Sequence, residues 1–357
     1  MKVAHFCNFG LHGSGQYGTT KDLIKAERHF GIDARFIVTN GTPHIEDDWL
    51  KDDHPDWAKE ADILVRHTAI HQEYEDLKKP TVCCLHGRPE STFTLDLLKK
   101  PPKPHQIPNY YQLKPQDGLL ETIAGFANPE WNHYRALVYF WEEFELHWRH
   151  IIGPEKLRYV QAPVDLDEYK PEGPLLDFPQ ESIGEPNLLV ADMWREDTTP
   201  FNVIHAAAYC REHYLPNLKV HVFGVPDDWN KPIKDVLFNF RDMGMISEIH
   251  YTIVEIAQIY RMMDITITPH NFATRVMRES LASGTPVVAG GGCPYTNYGC
   301  DPHDIPGYAL QIKECWDDLQ ANPQRSAECR TMAIKKFNPR RSGEAMKRVF
   351  EEVLIGK

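Results

Sequence analysis

The 357-residue chain contains no apolar run approaching the roughly 18 residues that a membrane helix needs. Its first residues, Met1-Lys2-Val3-Ala4-His5-Phe6, turn polar too early for a signal peptide, so a cytoplasmic protein is expected. The eight cysteines form no Cys-x-x-Cys pair, which argues against a zinc ribbon or a dithiol redox motif. Several of them fall within expected strands or helices, as reduced packing residues would. No Gly-x-Ser-x-Gly elbow, Walker sequence, internal repeat or low-complexity tract is present. His67 and His71 are four apart and His147 and His150 three apart, but neither pair has a third ligand at a zinc spacing, and no metal is expected. Basic residues are in deficit, 39 against 51 acidic, for a net charge of −12. That balance excludes a broad polyanion-coating surface while leaving room for a local basic groove.

What is present describes a folded α/β protein. At about 150 residues per domain the length suggests two domains, and hydrophobic residues make up 42 % of the chain, enough for full cores. The 27 prolines exceed the usual share of about 5 %, so long helices should be few. Apolar strand candidates alternate with helical stretches throughout, the pattern of parallel sheets flanked by helices. In the first half the strands are Lys2–Cys7, Asp33–Val38, Ile63–Arg66, Thr81–Leu85 and Lys156–Gln161, with a helix near Thr19–Phe30. The aromatic segment Tyr134–Ile152 has apolar residues three and four apart and reads as a helix. A proline- and glycine-bearing stretch over Asp165–Pro186 is the linker candidate. The alternation restarts with strands at Asn187–Ala191, Lys219–Phe223, Glu248–Thr252, Asp264–Thr268 and Pro286–Ala289. Helices are expected at Phe201–Tyr214, Ile233–Met243, Val254–Met263, Thr274–Ser283, Arg325–Phe337 and Arg340–Leu354. Two Rossmann-like halves, 1–170 and 187–338, joined by a linker at 171–186, would bind a ligand where their strand C-terminal edges face each other.

Two loops carry candidate chemistry. Gly13, Gly15 and Gly18 satisfy Gly-x-Gly-x-x-Gly between the first strand and first helix. There, glycines let a phosphate approach a positively polarised helix start. A dinucleotide site would also want an acid at the end of the second strand. That strand ends Ile37-Val38-Thr39-Asn40, and the next acid is Glu46, which weakens the NAD-dependent oxidoreductase alternative. A tight turn needing only positive φ is the other reading. The second loop follows a strand ending at Pro269 and runs through His270-Asn271-Phe272-Ala273-Thr274-Arg275 into a helix that carries Glu279 and is closed by Gly284. A carboxylate there can accept two hydrogen bonds from a ribose diol, and free amides at Thr274 with the Arg275 guanidinium can neutralise a diphosphate.

The passage Asn271 to Glu279, followed by Ser283-Gly284-Thr285-Pro286-Val287-Val288, resembles the donor-site motif of retaining glycosyltransferases of the GT-B fold, in particular family 4. In that family two glutamates eight positions apart precede Gly-Thr-Pro-Val-Val. Tyr159 to Pro171, Asn187–Ala191, Leu218–Gly224 and Val254–Asp264 are similar to other stretches of that family. The resemblance implies two Rossmann-like domains, with a C-terminal segment at 339–357 packing back on the first. It also implies transfer of a sugar from a nucleoside-diphosphate sugar, UDP- or GDP-linked, to an acceptor hydroxyl without a metal cofactor. It gives Glu279 the ribose, Arg195 and Arg275 the diphosphate, Gly13 and Gly15 a loop over the phosphates, and His86, in Leu85-His86-Gly87, the donor sugar. Arg66, His67 and His71, after the third strand, are candidate acceptor contacts. Asn271 stands where the family has its first glutamate, offering hydrogen bonds but no charge. Asp165-Leu166-Asp167 copies the metal-holding Asp-x-Asp of GT-A transferases but falls in the segment matching the GT-B domain junction. Alternatives are a sugar-nucleotide epimerase or a phosphorylase-like enzyme of the same fold, a non-catalytic nucleotide-sugar binder, and a transferase acting on a hydroxymethylated DNA base. The last would need a basic path that the charge does not indicate.

Overall fold

The computed structural model describes residues 1–7, 15–38, 55–67, 76–86, 134–176, 184–191, 200–225, 231–250 and 256–356. The chain forms two compact units, Met1–Pro163 with Pro339–Lys357, and Val164–Asn338.

In the first unit the elements run β1 (Lys2–Cys7), α1 (Gly15–Arg28), β2 (Asp33–Val38), α2 (Pro55–Glu60), β3 (Ile63–Arg66), β4 (Thr81–Leu85), β5 (Ala136–Tyr139), a short 3-10 turn over Glu142–Phe144, α3 (Glu145–Ile152) and β6 (Leu157–Tyr159). The strands form one sheet in the order β2-β1-β3-β4-β5-β6, every pair parallel. Its register sets His5 opposite Val65 and Cys84 opposite Val138.

The first part of Tyr134–Ile152, read above as helix, is strand β5, and the helix starts only at Glu145. The physical reason is burial on both sides: Ala136, Leu137, Val138 and Tyr139 are all buried between β4 and β6. A strand covered on both faces is an unbroken apolar run rather than an alternating one, and such a run satisfies three-and-four spacing trivially.

The second unit contains β7 (Asn187–Val190), α4 (Phe201–His213), β8 (Lys219–Phe223), α5 (Lys231–Asp242), β9 (Glu248–His250), α6 (Ile256–Met262), β10 (Ile265–Ile267), α7 (Arg275–Ala282), β11 (Val287–Gly290), β12 (Tyr298–Cys300), α8 (Ile305–Ala321) and α9 (Arg325–Lys336). Its sheet is again parallel, ordered β12-β11-β10-β7-β8-β9. That is the dinucleotide-fold order, whose reversal point lies between β7 and β10, whereas the first sheet reverses between β1 and β3. Helix α8 is absent from the sequence reading. Asp304 caps it, accepting the Gly307 amide at 3.0 Å, Pro306 sits in its first turn, and Tyr308, Ala309, Ile312 and Cys315 bury against α4 and the sheet.

Helix α10 (Pro339–Ile355) belongs to the first unit and packs along α1. Ser342 Oγ donates to the Gln161 carbonyl at 2.6 Å, and the Phe350 ring meets His5 edge-on at 6.4 Å. The division between units falls at Pro163/Val164, earlier than residue 170. Residues 165–174 are fastened to the second unit by two arginines. Arg261 donates to the carbonyls of Glu168, Lys170 and Pro174, and Arg330 to those of Leu166, Tyr169 and Ala282. All eight cysteines are free thiols, seven of them buried. Among the described residues, no helix is long and apolar enough to cross a membrane.

Candidate functional site

In the second unit, β10 lies at the reversal point of the sheet and is followed by Pro269-His270-Asn271 and the start of α7. Gly290, the last residue of β11, lies under this turn: its amide donates to the His270 carbonyl at 2.8 Å, and a Cβ on it would stand 2.4 Å from the Pro269 carbonyl oxygen. A side chain there would displace the turn. Thr274 caps α7 by accepting the Met277 amide at 3.3 Å. At the other end Gly284 takes φ +83°, and the amides of Gly284 and Thr285 return to the carbonyls of Leu281 and Ser280 at 3.1 and 2.9 Å. This Schellman closure stops the helix after eight residues.

Arg275 and Glu279 stand one turn apart on α7, and Arg275 Nε donates to Glu279 Oε1 at 2.5 Å. The other carboxylate oxygen accepts the Tyr260 hydroxyl of α6 at 3.0 Å. The two ion-pair side chains are 11 % and 4 % exposed, and the guanidinium lies 5.8 Å from the centre of the Tyr169 ring. Burial, followed by the Glu279 charge, pushes the Tyr260 phenol well above its ordinary pKa, so Tyr260 keeps its proton and donates. Glu279 is therefore a carboxylate held at both oxygens rather than a bare one. Thr274 is half-buried and Asn271 exposed at the mouth of the same turn.

Several residues that hold this site were not singled out from the sequence. Tyr308 of α8 reaches the ends of β10 and β11, its hydroxyl 2.9 and 2.7 Å from the carbonyls of Thr268 and Val288 and accepting the Thr268 amide at 3.2 Å. Ser280 donates at 2.8 Å to Thr266 or at 2.9 Å to the Thr285 carbonyl, and Thr285 donates to the Tyr260 carbonyl at 2.7 Å. Only Tyr308 carried a signal, as part of the apolar repeat of a capped helix.

In the first unit, His86 follows β4 at the C-terminal edge of the sheet and is half-buried. It is the outer end of a line of side chains. His86 Nε2 lies 2.6 Å from His67 Nδ1, His67 Nε2 2.9 Å from His5 Nδ1, and His5 Nε2 2.8 Å from Glu27 Oε2. His67, expected above as an acceptor contact, is 5 % exposed and sits inside this line, and His5 and Glu27 are fully buried. The His67 amide continues the ladder from β3, donating to the Phe6 carbonyl at 2.9 Å, and the ring lies inward. Burial, then the neighbouring His86 and His5, hold the His67 imidazole well below its ordinary pKa. Thr20 Oγ1 lies 3.2 Å from His67 Nδ1, and Gln16 donates to the His67 carbonyl at 2.5 Å.

Gly15 opens α1, its carbonyl accepting the Thr19 hydroxyl at 2.6 Å. Arg66 donates to the Tyr134 hydroxyl and lies over that ring. Asp165 Oδ1 accepts the amides of Asp167 and Glu168 at 3.0 and 3.1 Å, a local turn. Gly13, His71 and Arg195 lie outside the described residues.

No protein-family model matches the chain, and comparison with curated proteins finds no match. Solved structures do match along its whole length. A glycosyltransferase from Rickettsia africae aligns over 99 % of this chain and 98 % of its own at 15 % identity, with a TM-score of 0.66. HepE of Anabaena, solved with UDP-glucose, aligns over 98 % and 100 % at 14 % identity, TM-score 0.65. Sucrose-phosphate synthase of Thermosynechococcus elongatus aligns over 100 % of both chains at 12 % identity, TM-score 0.69. The two parallel six-stranded sheets with their flanking helices are the GT-B fold of these glycosyltransferases.

Proposed function

We propose that this protein is a retaining glycosyltransferase that moves a sugar from a nucleoside-diphosphate sugar to an acceptor hydroxyl. The observation that carries the reading is the turn at the reversal point of the second sheet: it lies on Gly290 and enters a capped helix bearing the buried Arg275–Glu279–Tyr260 group. Amides at a helix start favour a bound phosphate, and Arg275, fixed by Glu279 and Tyr169, offers its remaining donors to the diphosphate. The acceptor positions left on Glu279 take the ribose hydroxyls, and Asn271 offers the donor sugar a neutral hydrogen-bonding group. In the first unit His86 takes a sugar hydroxyl, with Gly13 and Gly15 at the phosphate loop, and Arg195 joins Arg275 on the diphosphate. The UDP-glucose held by HepE supports a donor of this class.

In this reading the bond from the anomeric carbon to the phosphate oxygen breaks. The acceptor oxygen bonds the same face, and the departing phosphate oxygen takes the acceptor's proton. No protein nucleophile takes part, and the protein acts by positioning two substrates and stabilising the leaving diphosphate. The test is calorimetric titration with UDP-glucose, GDP-mannose and their nucleotides, with mass-spectrometric detection of sugar release or transfer. Micromolar binding of one donor, weakened at least about tenfold in Glu279→Gln, a loss of about 1.4 kcal/mol, is expected. Equal donor affinity in the variant overturns the assignment of Glu279. An inverted anomeric centre in the product overturns retention.

A further inference from the structure

Apart from the Arg275–Glu279–Tyr260 group, the described residues hold a line of polar side chains from Glu27 to His86. Its members come from four places in the first unit: Glu27 from α1, His5 from β1, His67 from the end of β3 and His86 from the end of β4. They run in single file rather than converging on a point, with successive contacts of 2.8, 2.9 and 2.6 Å. The His5 and His67 rings stack with centroids 5.2 Å apart, and His67 and His86 are 4.9 Å apart. Phe350 of α10 and Phe140 after β5 flank the line. Glu27 is wholly buried; its Oε2 meets His5, and its Oε1 has no hydrogen-bond partner among the described residues.

A neutral imidazole carries one N–H and one lone pair, so every contact in the line constrains the next. A Glu27 carboxylate can only accept, which puts the His5 proton on Nε2 and its lone pair on Nδ1. That lone pair accepts from His67 Nε2–H, and the lone pair of His67 Nδ1 accepts from His86 Nε2–H. His86 is then the tautomer whose lone pair is on Nδ1.

Resting on the sugar-transfer reading above, we propose that Glu27, His5, His67 and His86 form a proton relay. It fixes the tautomer that His86 presents and carries a proton taken up from solvent at His86 to the buried Glu27–His5 pair. The balance is complete within the chain. When a proton reaches His86 Nδ1, the His86 Nε2 proton passes to His67 Nδ1 and the His67 Nε2 proton passes to His5 Nδ1. His5 becomes an imidazolium against the Glu27 carboxylate. His67 and His86 end as the opposite neutral tautomers, so His86 changes from acceptor to donor on uptake of one proton. His67 conducts and does not store: its burial and its two histidine neighbours disfavour the charged ring. Among the described residues, the thiols of Cys84 of β4 and Cys7 of β1 also lie near this line. Burial pushes Cys84 well above its ordinary pKa, with the charges of Cys83, Glu27 and Cys7 adding to the effect, and it stays protonated. Glu27, His5 and His67 are positioning residues, because they act through His86.

The experiment is long-range proton–nitrogen NMR of the full chain labelled at histidine, from pH 8 to 5.5, on the wild type, Glu27→Gln and His67→Phe. Expected in the wild type are Nε2–H tautomers for His5, His67 and His86 at pH 8, and a single shared transition in which His67 and His86 move to Nδ1–H. Glu27→Gln, which keeps the shape and removes the stored charge, should lower that transition by about one pH unit or more. His67→Phe should cut His86 off from the buried pair, so that the His86 change no longer coincides with that of His5. Independent titration of the three rings in the wild type overturns the relay, as does a His86 transition unmoved by Glu27→Gln. A merely structural network would lower thermal stability in both variants and leave the His86 transition in place. None of these readouts uses a donor, so failure of UDP-glucose and GDP-mannose to bind would count against the function and not against the relay.

Discussion

The two sheets have different strand orders, and the edges at their reversal points hold different side chains. In the first, the reversal between β1 and β3 lays side chains of neighbouring strands along a line into the interior, and imidazoles fill it from β1, β3 and β4. In the second, the reversal between β7 and β10 leaves β10 to run into a helix start, and the charges stand on that helix, paired within one turn. One edge is lined by imidazoles in hydrogen-bonded file, the other carries an ion pair on a helix start. A parallel sheet thus supplies only the place; the side chains that reach it decide what chemistry it holds.

The comparison predicts unequal responses to damage. The largest should come from Glu279→Ala, which leaves the Arg275 guanidinium, 11 % exposed, without its carboxylate. Breaking a buried pair from one side costs about 3–5 kcal/mol, measured as a fall in the denaturant midpoint of the second unit. A loss below about 1 kcal/mol would mean that solvent already screens the pair.

A smaller effect is expected from pH, and only where the histidines are. The folded His67 pKa lies below the unfolded value of about 6.5. Between the two, the unfolded chain binds a proton that His67 in the folded chain does not. Stability should therefore fall as pH drops below about 6.5, by up to about 1.4 kcal/mol per unit. His67→Phe should flatten the pH 7.5 to 5.5 part of the curve, and an unchanged slope would remove His67 as its source. The smallest effect belongs to Arg158→Ala. Arg158 pairs with Glu352 at 2.7 Å with both side chains about a third to a half exposed, and pairs of that kind contribute about 0–1 kcal/mol. A larger loss would show that α10 depends on this contact as well as on its packing along α1.

Legibility from sequence followed the range of the forces involved. The strand and helix alternation is local, and most of the strands lie where the apolar runs place them. Helix α7 was legible because capping and closure are short-range: Thr274 and Gly284 bracket it. Strand β5 was hidden because sheet burial on two faces erases alternation. Helix α8 was hidden because Pro306 and Gly307 resemble a loop, although both suit a first turn behind the Asp304 cap. Of the site, His86, Arg275 and Glu279 could be named singly. Their partners could not, since His5, Glu27 and Tyr260 reach them through sheet register and helix packing, which no local pattern encodes. The inward ring of His67 is the same failure: its neighbours are 62 and 19 residues away.

Because the first unit needs Pro339–Lys357 to complete it, the order in which the ribosome delivers the two units is not the order in which they can be finished. The sheet of the first emerges early and must wait for its last helix while the whole of Val164–Asn338 is synthesised. At about 5–20 residues per second that interval is on the order of ten seconds or more, during which the α1 surface that α10 later covers is bare. The inserted unit has all its own strands before then and can close first, so a nascent chain stalled just after Asn338 should hold a finished second unit beside an unfinished first one.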